Sequence, residues 1–144
     1  MRYKRMFAKG RCAVLGLVSL LAMYSQASMA GAYSSSVGLP TVHHKGWIYQ
    51  AQLPVTAVVP AGARISRVTW NWNVVGFPRM FVVFLCQGTT NICHDVSRLR
   101  SGSTDRFAGG NPAQPLFFRM HMVNDPKSSP VPAGGLSSGV TVTW

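Results

Sequence analysis

Glutamate is absent from the 144-residue chain, and only three aspartates carry a negative charge. Asp95, Asp105 and Asp125 each lie in or beside a predicted turn or on the polar face of a predicted strand. A pair of carboxylates acting as general acid and base would have to be assembled from distant loops. The composition therefore argues against a hydrolase of that kind.

Nucleophile and metal motifs are also missing. The hydroxyl-rich stretches Ser34-Ser35-Ser36 and Ser128-Ser129 stand near glycines and prolines, without the GxSxG context that exposes a nucleophile at a strand-to-helix turn. His43 and His44 are adjacent, so on a strand they would point to opposite faces, and no third ligand follows at a useful spacing. We expect no enzyme activity, no cofactor and no metal site.

The chain lacks an apolar run long enough to cross a bilayer. Its longest run, residues 12–24, is shorter than the roughly 20 residues that a membrane-spanning helix needs. Five cations precede it, and Ser28-Met29-Ala30 places small residues at the positions that a signal peptidase reads. We predict a secretory signal peptide over residues 1–30, cleaved between Ala30 and Gly31, rather than a retained membrane anchor. The mature protein would be exported, without an integral membrane segment.

Removal of the leader changes the charge of the protein. Five of the fourteen Lys and Arg residues leave with it, so nine cations against three aspartates give the mature chain a charge of about +6. The nine are spread without a cluster: Lys45, Arg64, Arg67, Arg79, Arg98, Arg100, Arg106, Arg119 and Lys127. Because the protein is exported, we expect no nucleic-acid partner, and a surface with some bias toward anionic partners. Residues 31–144 have the size of a single domain.

Only two cysteines remain after cleavage, because Cys12 lies in the leader. Cys86 and Cys93 should pair in an oxidising compartment, and the glycine and asparagine between them suit a tight reversal between two strands. A redox or metal pair is the alternative, but the spacing is not CxxC and His94 is the one histidine nearby. We predict a structural disulfide.

Apolar residues in the mature chain alternate at the period of a β-strand. Val68, Trp70, Trp72 and Val74 are each separated by a polar residue, whereas helical spacing is absent there. Strands are predicted over residues 33–38, 46–53, 67–74, 79–86, 92–98, 104–107, 118–122 and 140–144. The apolar segment 79–86 is predicted to be a central strand covered on both faces. Seven or eight short strands without amphipathic helices predict an all-β fold, a single antiparallel β-sandwich stapled by one disulfide.

The tryptophans allow two interpretations. If Trp70 and Trp72 faced solvent, they would form a stacking platform for sugars or another apolar partner. If they faced inward, they would be part of the core. Their face is the only apolar face of the strand, because the alternate residues are polar, so it is the face available for burial. We favour the core interpretation. The terminal Trp144 is expected to be pinned in the core for the same reason.

Several short motifs occur in the order found in a known family. Ser35-Ser36-Val37-Gly38 is followed by His43-His44-Lys45-Gly46, which resembles the mature start of the flagellar FlhE proteins. Further similar motifs follow in order: Val68-Thr69-Trp70, Gly76-Phe77-Pro78, Leu85-Cys86 with a second cysteine shortly after, Pro115-Leu116-Phe117-Phe118, a Gly/Pro loop and Val140-Thr141-Val142. The resemblance spans about residues 34–144.

The resemblance implies a periplasmic, chaperone-like accessory protein of flagellar biogenesis, which keeps the flagellar export apparatus from leaking protons and supports motility. Its partner would belong to the export apparatus or the basal body. The turn formed by His43, His44, Lys45 and Gly46 is the candidate partner contact. An open sandwich edge would accept a partner strand or a second copy of the chain, giving a homo-oligomer. The alternative is a secreted carbohydrate- or surface-binding β-sandwich module that uses exposed aromatics.

Overall fold

A computed structural model describes residues 30–88 and 92–144. These residues form eight β-strands and no helix. The strands are β1 (Ala32–Gly38), β2 (Tyr49–Leu53), β3 (Arg67–Val74), β4 (Phe81–Gln87), β5 (Ile92–Asp95), β6 (Ser101–Thr104), β7 (Leu116–Met122) and β8 (Gly135–Thr143). The leader predicted over residues 1–30 lies almost wholly outside the described residues.

The eight strands form two four-stranded antiparallel sheets. One has the order β1-β8-β3-β6 and the other β2-β7-β4-β5. The sheets bury their inner faces against each other, because a sheet with one apolar face is stable only when that face is covered. The predicted β-sandwich and its number of strands are confirmed.

Two predicted strands are shorter in the structure. The strand predicted from residue 46 begins at Tyr49, because Gly46 has a positive φ of 75° and belongs to a turn. The strand predicted to reach residue 98 ends at Asp95, where the carboxylate accepts hydrogen bonds from the backbone N–H and the hydroxyl of Ser97. This turn, closed by the Asp95 side chain, ends the β4–β5 ladder of backbone hydrogen bonds.

Two others begin three or more residues earlier than predicted. The strand predicted over residues 104–107 is Ser101–Thr104, because a turn follows in which the Asp105 carbonyl accepts from the Ala108 N–H. The last strand begins at Gly135 rather than residue 140. Its first half is rich in Gly and Ser, so no apolar alternation marked it, yet it pairs along β1 and β3.

The core is built by alternate residues of the inner strands. The β3 side chains Val68, Trp70, Trp72 and Val74 are buried, and their polar neighbours are exposed. In β7 the same alternation buries four residues: Leu116, Phe118, Met120 and Met122. The period of two in the sequence therefore identified the inward face of both strands.

The apolar strand β4 has only one fully covered face. Its inward side chains Phe81, Val83 and Leu85 are buried, whereas Val82 and Phe84 are only half-buried. On this outer face the Arg119 guanidinium lies 5.9 Å from the Phe84 ring centroid. The prediction that β4 is covered on both faces was wrong for the outer face. Only neighbouring side chains shield that face, without a further layer of secondary structure.

The two ends of the domain meet at Gly31 and Trp144. Each backbone N–H donates to the carbonyl of the other residue, at 2.8 and 2.9 Å. The half-buried Trp144 ring lies over Gly31, where a Cβ would come within 2.7 Å of the indole, and it packs near Tyr33 at 5.9 Å between ring centroids. The terminal tryptophan is thus held at the margin of the core rather than within it.

Candidate partner-binding end of the sandwich

Antiparallel connections place alternate loops at opposite ends of a sandwich. Residues 39–48, 75–80, 96–100 and 123–134 connect strands at one end, which we call the loop end. The other three connections, together with Gly31 and Trp144, lie at the opposite end. The candidate contact His43-His44-Lys45-Gly46 belongs to the loop end.

The turn at His43 to Gly46 is tied to the sandwich by its backbone. The N–H groups of His43 and His44 both donate to the Tyr49 hydroxyl, each at 3.1 Å. The Gly46 N–H donates to the Met122 carbonyl at 2.7 Å. These bonds leave both imidazoles exposed, as a contact residue requires.

Lys45 has an internal role in the structure. Its half-buried ammonium donates to the carbonyls of Asp125 and Ser128, at 3.3 Å each. The side chain therefore joins loop 39–48 to loop 123–134 by satisfying two backbone carbonyl oxygens. Of the four residues proposed as a contact, His43, His44 and Gly46 are exposed, while Lys45 anchors the turn.

Exposed apolar side chains continue the surface beyond the turn. Trp47 is 64% exposed, and its ring centroid lies 4.7 Å from that of His44. Ile48 follows and is also exposed. Trp47 lies in the strand predicted over residues 46–53, whose short alternation left its face ambiguous, whereas the structure begins that strand at Tyr49 and leaves Trp47 in the preceding loop.

Phe77 is the most prominent aromatic of the loop end. It is 88% exposed between two shallow clefts of about 160 and 250 Å³. The Arg100 guanidinium lies 4.4 Å from its ring centroid and 5.3 Å from that of Trp72. The same guanidinium donates to the Asn73 side-chain oxygen and to the carbonyls of Val74 and Gly76. Arg100 therefore holds loop 75–80 in place.

A polar cleft of about 400 Å³ lies on the outer face of the β1-β8-β3 sheet. Gly139 forms its floor between strands, and small hydroxyl and amide side chains surround it, among them Ser34, Asn71 and Thr141. The Ser34 and Thr141 hydroxyls are hydrogen-bonded at 2.7 Å. This cleft is open and uncharged, and no sequence motif indicates it because its residues come from three separate strands.

Trp70 and Trp72 are core residues, as predicted. They are 5% and 4% exposed. Both indole N–H groups donate to the Leu99 carbonyl, at 3.2 and 3.0 Å, and that of Trp72 also approaches the Val96 carbonyl at 3.1 Å. A stacking platform made of these two indoles is excluded by their burial.

The predicted disulfide is present. Cys86 and Cys93 are directly opposite in the β4–β5 ladder, with Cα atoms 4.1 Å apart and an S–S distance of 2.04 Å. Cys86 is completely buried. The bond closes the hairpin at the end opposite to the loop end, so it serves as a staple and is no part of the candidate contact.

Among the described residues, three titratable groups have a pKa that departs from its ordinary value. Hydrogen bonds from Ser97 lower the pKa of the Asp95 carboxyl. Burial raises the pKa of the Tyr33 hydroxyl, which donates to the Pro112 carbonyl at 3.2 Å. The exposed ion pair with Asp105 raises the pKa of Arg67. All three groups have local structural partners, and none faces the His43–Gly46 turn.

Residues 30–88 and 92–144 contain neither a metal-binding cluster nor a membrane-spanning helix. No three His, Cys or Asp side chains there are close enough together to hold a metal ion. In the same residues no helix has the length and apolarity needed to cross a membrane. Ala30 is exposed and Gly31 begins the sheet pairing, so the predicted cleavage site lies at the margin of the folded domain.

Comparison with solved structures gives a likeness over most of this chain. The crystal structure of FlhE matches this chain with a TM-score of 0.67 and 24% sequence identity, over 80% of this chain and 96% of FlhE. No family model and no curated protein matches the chain. The likeness shows that this chain has the fold of FlhE, as the sequence motifs predicted.

Proposed function

We propose that this chain is a member of the FlhE family and acts in the periplasm as an accessory, chaperone-like protein of flagellar biogenesis. It limits proton leakage through the flagellar export apparatus and thereby supports motility. The observation that carries the proposal is the FlhE fold across nearly all of that protein's length. The ordered motifs and the predicted leader agree with it.

The partner is a protein of the export apparatus or the basal body. The exposed His43-His44 edge of the loop end is the proposed contact, because its backbone is anchored and its imidazoles are free to meet a partner. Addition of a partner strand to a sheet edge is a second possible mode of binding. β1 forms the longest edge of its sheet, although the Thr56 hydroxyl already donates to the Ser34 carbonyl at 2.8 Å.

Deletion of the gene tests the role. We expect a more acidic cytoplasm and reduced spreading on soft agar in flagellated cells, measured with a ratiometric pH reporter and motility plates. A strain without the export apparatus should show no pH change on deletion. Equal acidification in both strains would contradict the proton-leak mechanism.

A leaderless version tests the compartment. The chain beginning at Gly31 should fail to restore motility at normal abundance, because it remains on the cytoplasmic side of the membrane. The full chain should restore it. Full rescue by the leaderless protein would contradict the periplasmic role.

Paired variants test the contact. His43→Ala combined with His44→Ala should lower motility rescue, because both side chains are exposed and their backbone N–H bonds survive the change. Arg64→Ala at the opposite end is the control, since Arg64 is also exposed. Equal rescue by both variants would remove the turn as a contact without affecting the deletion result.

Carbohydrate binding is the second candidate function. The exposed Trp47 ring and the hydroxyl-lined cleft over Gly139 favour it, since sugars stack on aromatics and bond to hydroxyls. A glycan array with wild type and Trp47→Ala decides it. Binding that depends on Trp47, together with unchanged motility on deletion, would favour the carbohydrate module.

A further inference from the structure

Exposed apolar residues are concentrated at one end of the molecule. Nine large hydrophobic side chains are exposed among the described residues, and six of them lie in the loops of the loop end: Trp47, Ile48, Val75, Phe77, Met80 and Leu99. In the described loops of the opposite end only Val58 is of this kind. A concentration of exposed apolar side chains at one end of a domain is a candidate interaction site.

Exposed cations lie in the same loops as these apolar side chains. They are Arg79, Arg98 and Lys127. Asp125 is the only acidic residue in the four loops, and its carboxylate accepts from the Lys127 backbone N–H. The loop end is therefore both apolar and positively charged.

Several backbone groups of these loops have internal hydrogen-bond partners. Arg79 exchanges bonds with Ser129, the Met80 carbonyl accepts from Val123, and the Val75 N–H donates to Gly134. Arg100 covers the Val74 and Gly76 carbonyls. Polar backbone that has partners can enter a poorly hydrated environment without the cost of unpaired groups.

We propose that the loop end is a docking surface for an anionic phospholipid bilayer. Phe77, Trp47 and Leu99 enter the interface between headgroups and acyl chains, while Arg79, Arg98 and Lys127 meet the lipid phosphates. Aromatic and aliphatic side chains flanked by cations are the combination that holds a protein at such a surface. This inference goes beyond the flagellar role and can be tested without any flagellar component.

The shape of the apolar part of the loop end favours a bilayer there, whereas the His43-His44 edge is the proposed protein contact. The apolar side chains come from separate loops, and the clefts on either side of Phe77 are shallow. A partner protein would insert an anchoring aromatic residue into a well-packed pocket, and these shallow clefts do not provide one. A bilayer surface adapts to separate apolar side chains and also complements the charge of about +6 on the mature chain.

Vesicle flotation tests the proposal with the protein purified after export. We expect it to float with vesicles of phosphatidylglycerol and phosphatidylethanolamine, and to remain in solution with phosphatidylcholine alone or at high salt. Quenching by brominated lipids should report insertion of Trp47, because Trp70 and Trp72 are buried and Trp144 lies at the opposite end. Trp47→Phe should remove that quenching.

Matched variants locate the surface. Phe77→Asp should lower the partition coefficient about tenfold or more, because burial of a phenylalanine side chain is lost. Arg98→Gln with Lys127→Gln should lower it several-fold and flatten its salt dependence. Val58→Asp, at a residue 95% exposed at the opposite end, should leave it unchanged. Thermal melts verify that each variant is folded.

Three results would overturn the proposal. They are absence of flotation with anionic vesicles, equal flotation with neutral ones, and wild-type partitioning of a folded Phe77→Asp variant. Binding that requires flagellar membrane proteins in the vesicles would instead assign the loop end to a protein partner.

Discussion

Individual indoles connect the two sheets of this protein. Trp72 extends from β3, donates to the carbonyls of Val96 and Leu99, and lies 6.1 Å from the Phe81 ring centroid. One side chain therefore fills core volume and satisfies the carbonyls of loop 96–100. The alternation of β3 predicted that Trp72 is buried, but these partners come from segments whose proximity the sequence does not show.

Truncation at this residue should destabilise the whole domain. We expect Trp72→Ala to lower the free energy of unfolding by about 3 to 5 kcal/mol, through the cavity left behind. Urea unfolding of wild type and variant measures the difference. A variant that unfolds like wild type but loses glycan binding would contradict the core role and favour the carbohydrate module.

A second residue-scale prediction concerns Gly102, which lies opposite Trp70 in the β3–β6 ladder. A Cβ there would come within 2.6 Å of the indole, so Gly102→Ala should cost about 1 to 3 kcal/mol by overpacking. Gly38→Ala is the control, because its Cβ would meet nothing within 4 Å. Its effect should stay within about 0.5 kcal/mol. Equal melting temperatures for the two variants would contradict the close fit.

At the scale of elements, the β4–β5 hairpin depends on its disulfide. β5 is a four-residue edge strand, and the cross-link fixes its register directly opposite β4. On the chain-entropy relation, closing a loop of this size stabilises the fold by about 2.5 kcal/mol. The staple therefore compensates for a short strand with few ladder bonds.

Loss of the cross-link gives the corresponding prediction. Cys93→Ser should lower the free energy of unfolding by about 2 to 3 kcal/mol and reduce the yield of exported protein. Denaturant unfolding of the variant measures the first and periplasmic yield the second. A Cys93→Ser variant as stable as wild type would show that strand pairing holds the hairpin without the disulfide.

The turn after β5 makes stability depend on pH. Because hydrogen bonds from Ser97 lower the pKa of Asp95, the ionised carboxylate stabilises the folded state. That contribution is fully present above the ordinary aspartate pKa of about 4 and is lost as pH falls through the lower folded-state value. Asp95→Asn should be less stable than wild type at neutral pH, and the gap in melting temperature should narrow on acidification. A gap that does not change between pH 7 and pH 3 would contradict this account.

At the scale of the whole molecule, the two ends of the sandwich differ in chemistry. Both domain termini meet at one end, where Gly31 pairs with Trp144, and the exposed aromatics and several cations lie at the other. The predicted leader therefore emerges from the end opposite to the candidate contact. Cleavage after Ala30 would leave the β1 pairing intact.

Intact mass tests the mature form. We expect protein purified from the periplasm to begin at Gly31 and to contain no thiol that reacts with an alkylating reagent before reduction. After reduction, two thiols should react, as expected for Cys86 and Cys93 alone. Retention of the first 30 residues would contradict the leader, and two reactive thiols in the native protein would contradict the staple.

The sequence by itself determined the fold class, the inward face of β3 and β7, and the Cys86–Cys93 pair. These follow from local rules: a period of two marks a half-buried strand, and two thiols in an oxidising compartment pair. Only the tertiary structure decided that β8 begins at Gly135, that Lys45 anchors a turn, and that Trp47 and Phe77 share one end. Those features arise from pairing and packing between residues far apart in the chain, which local composition does not encode.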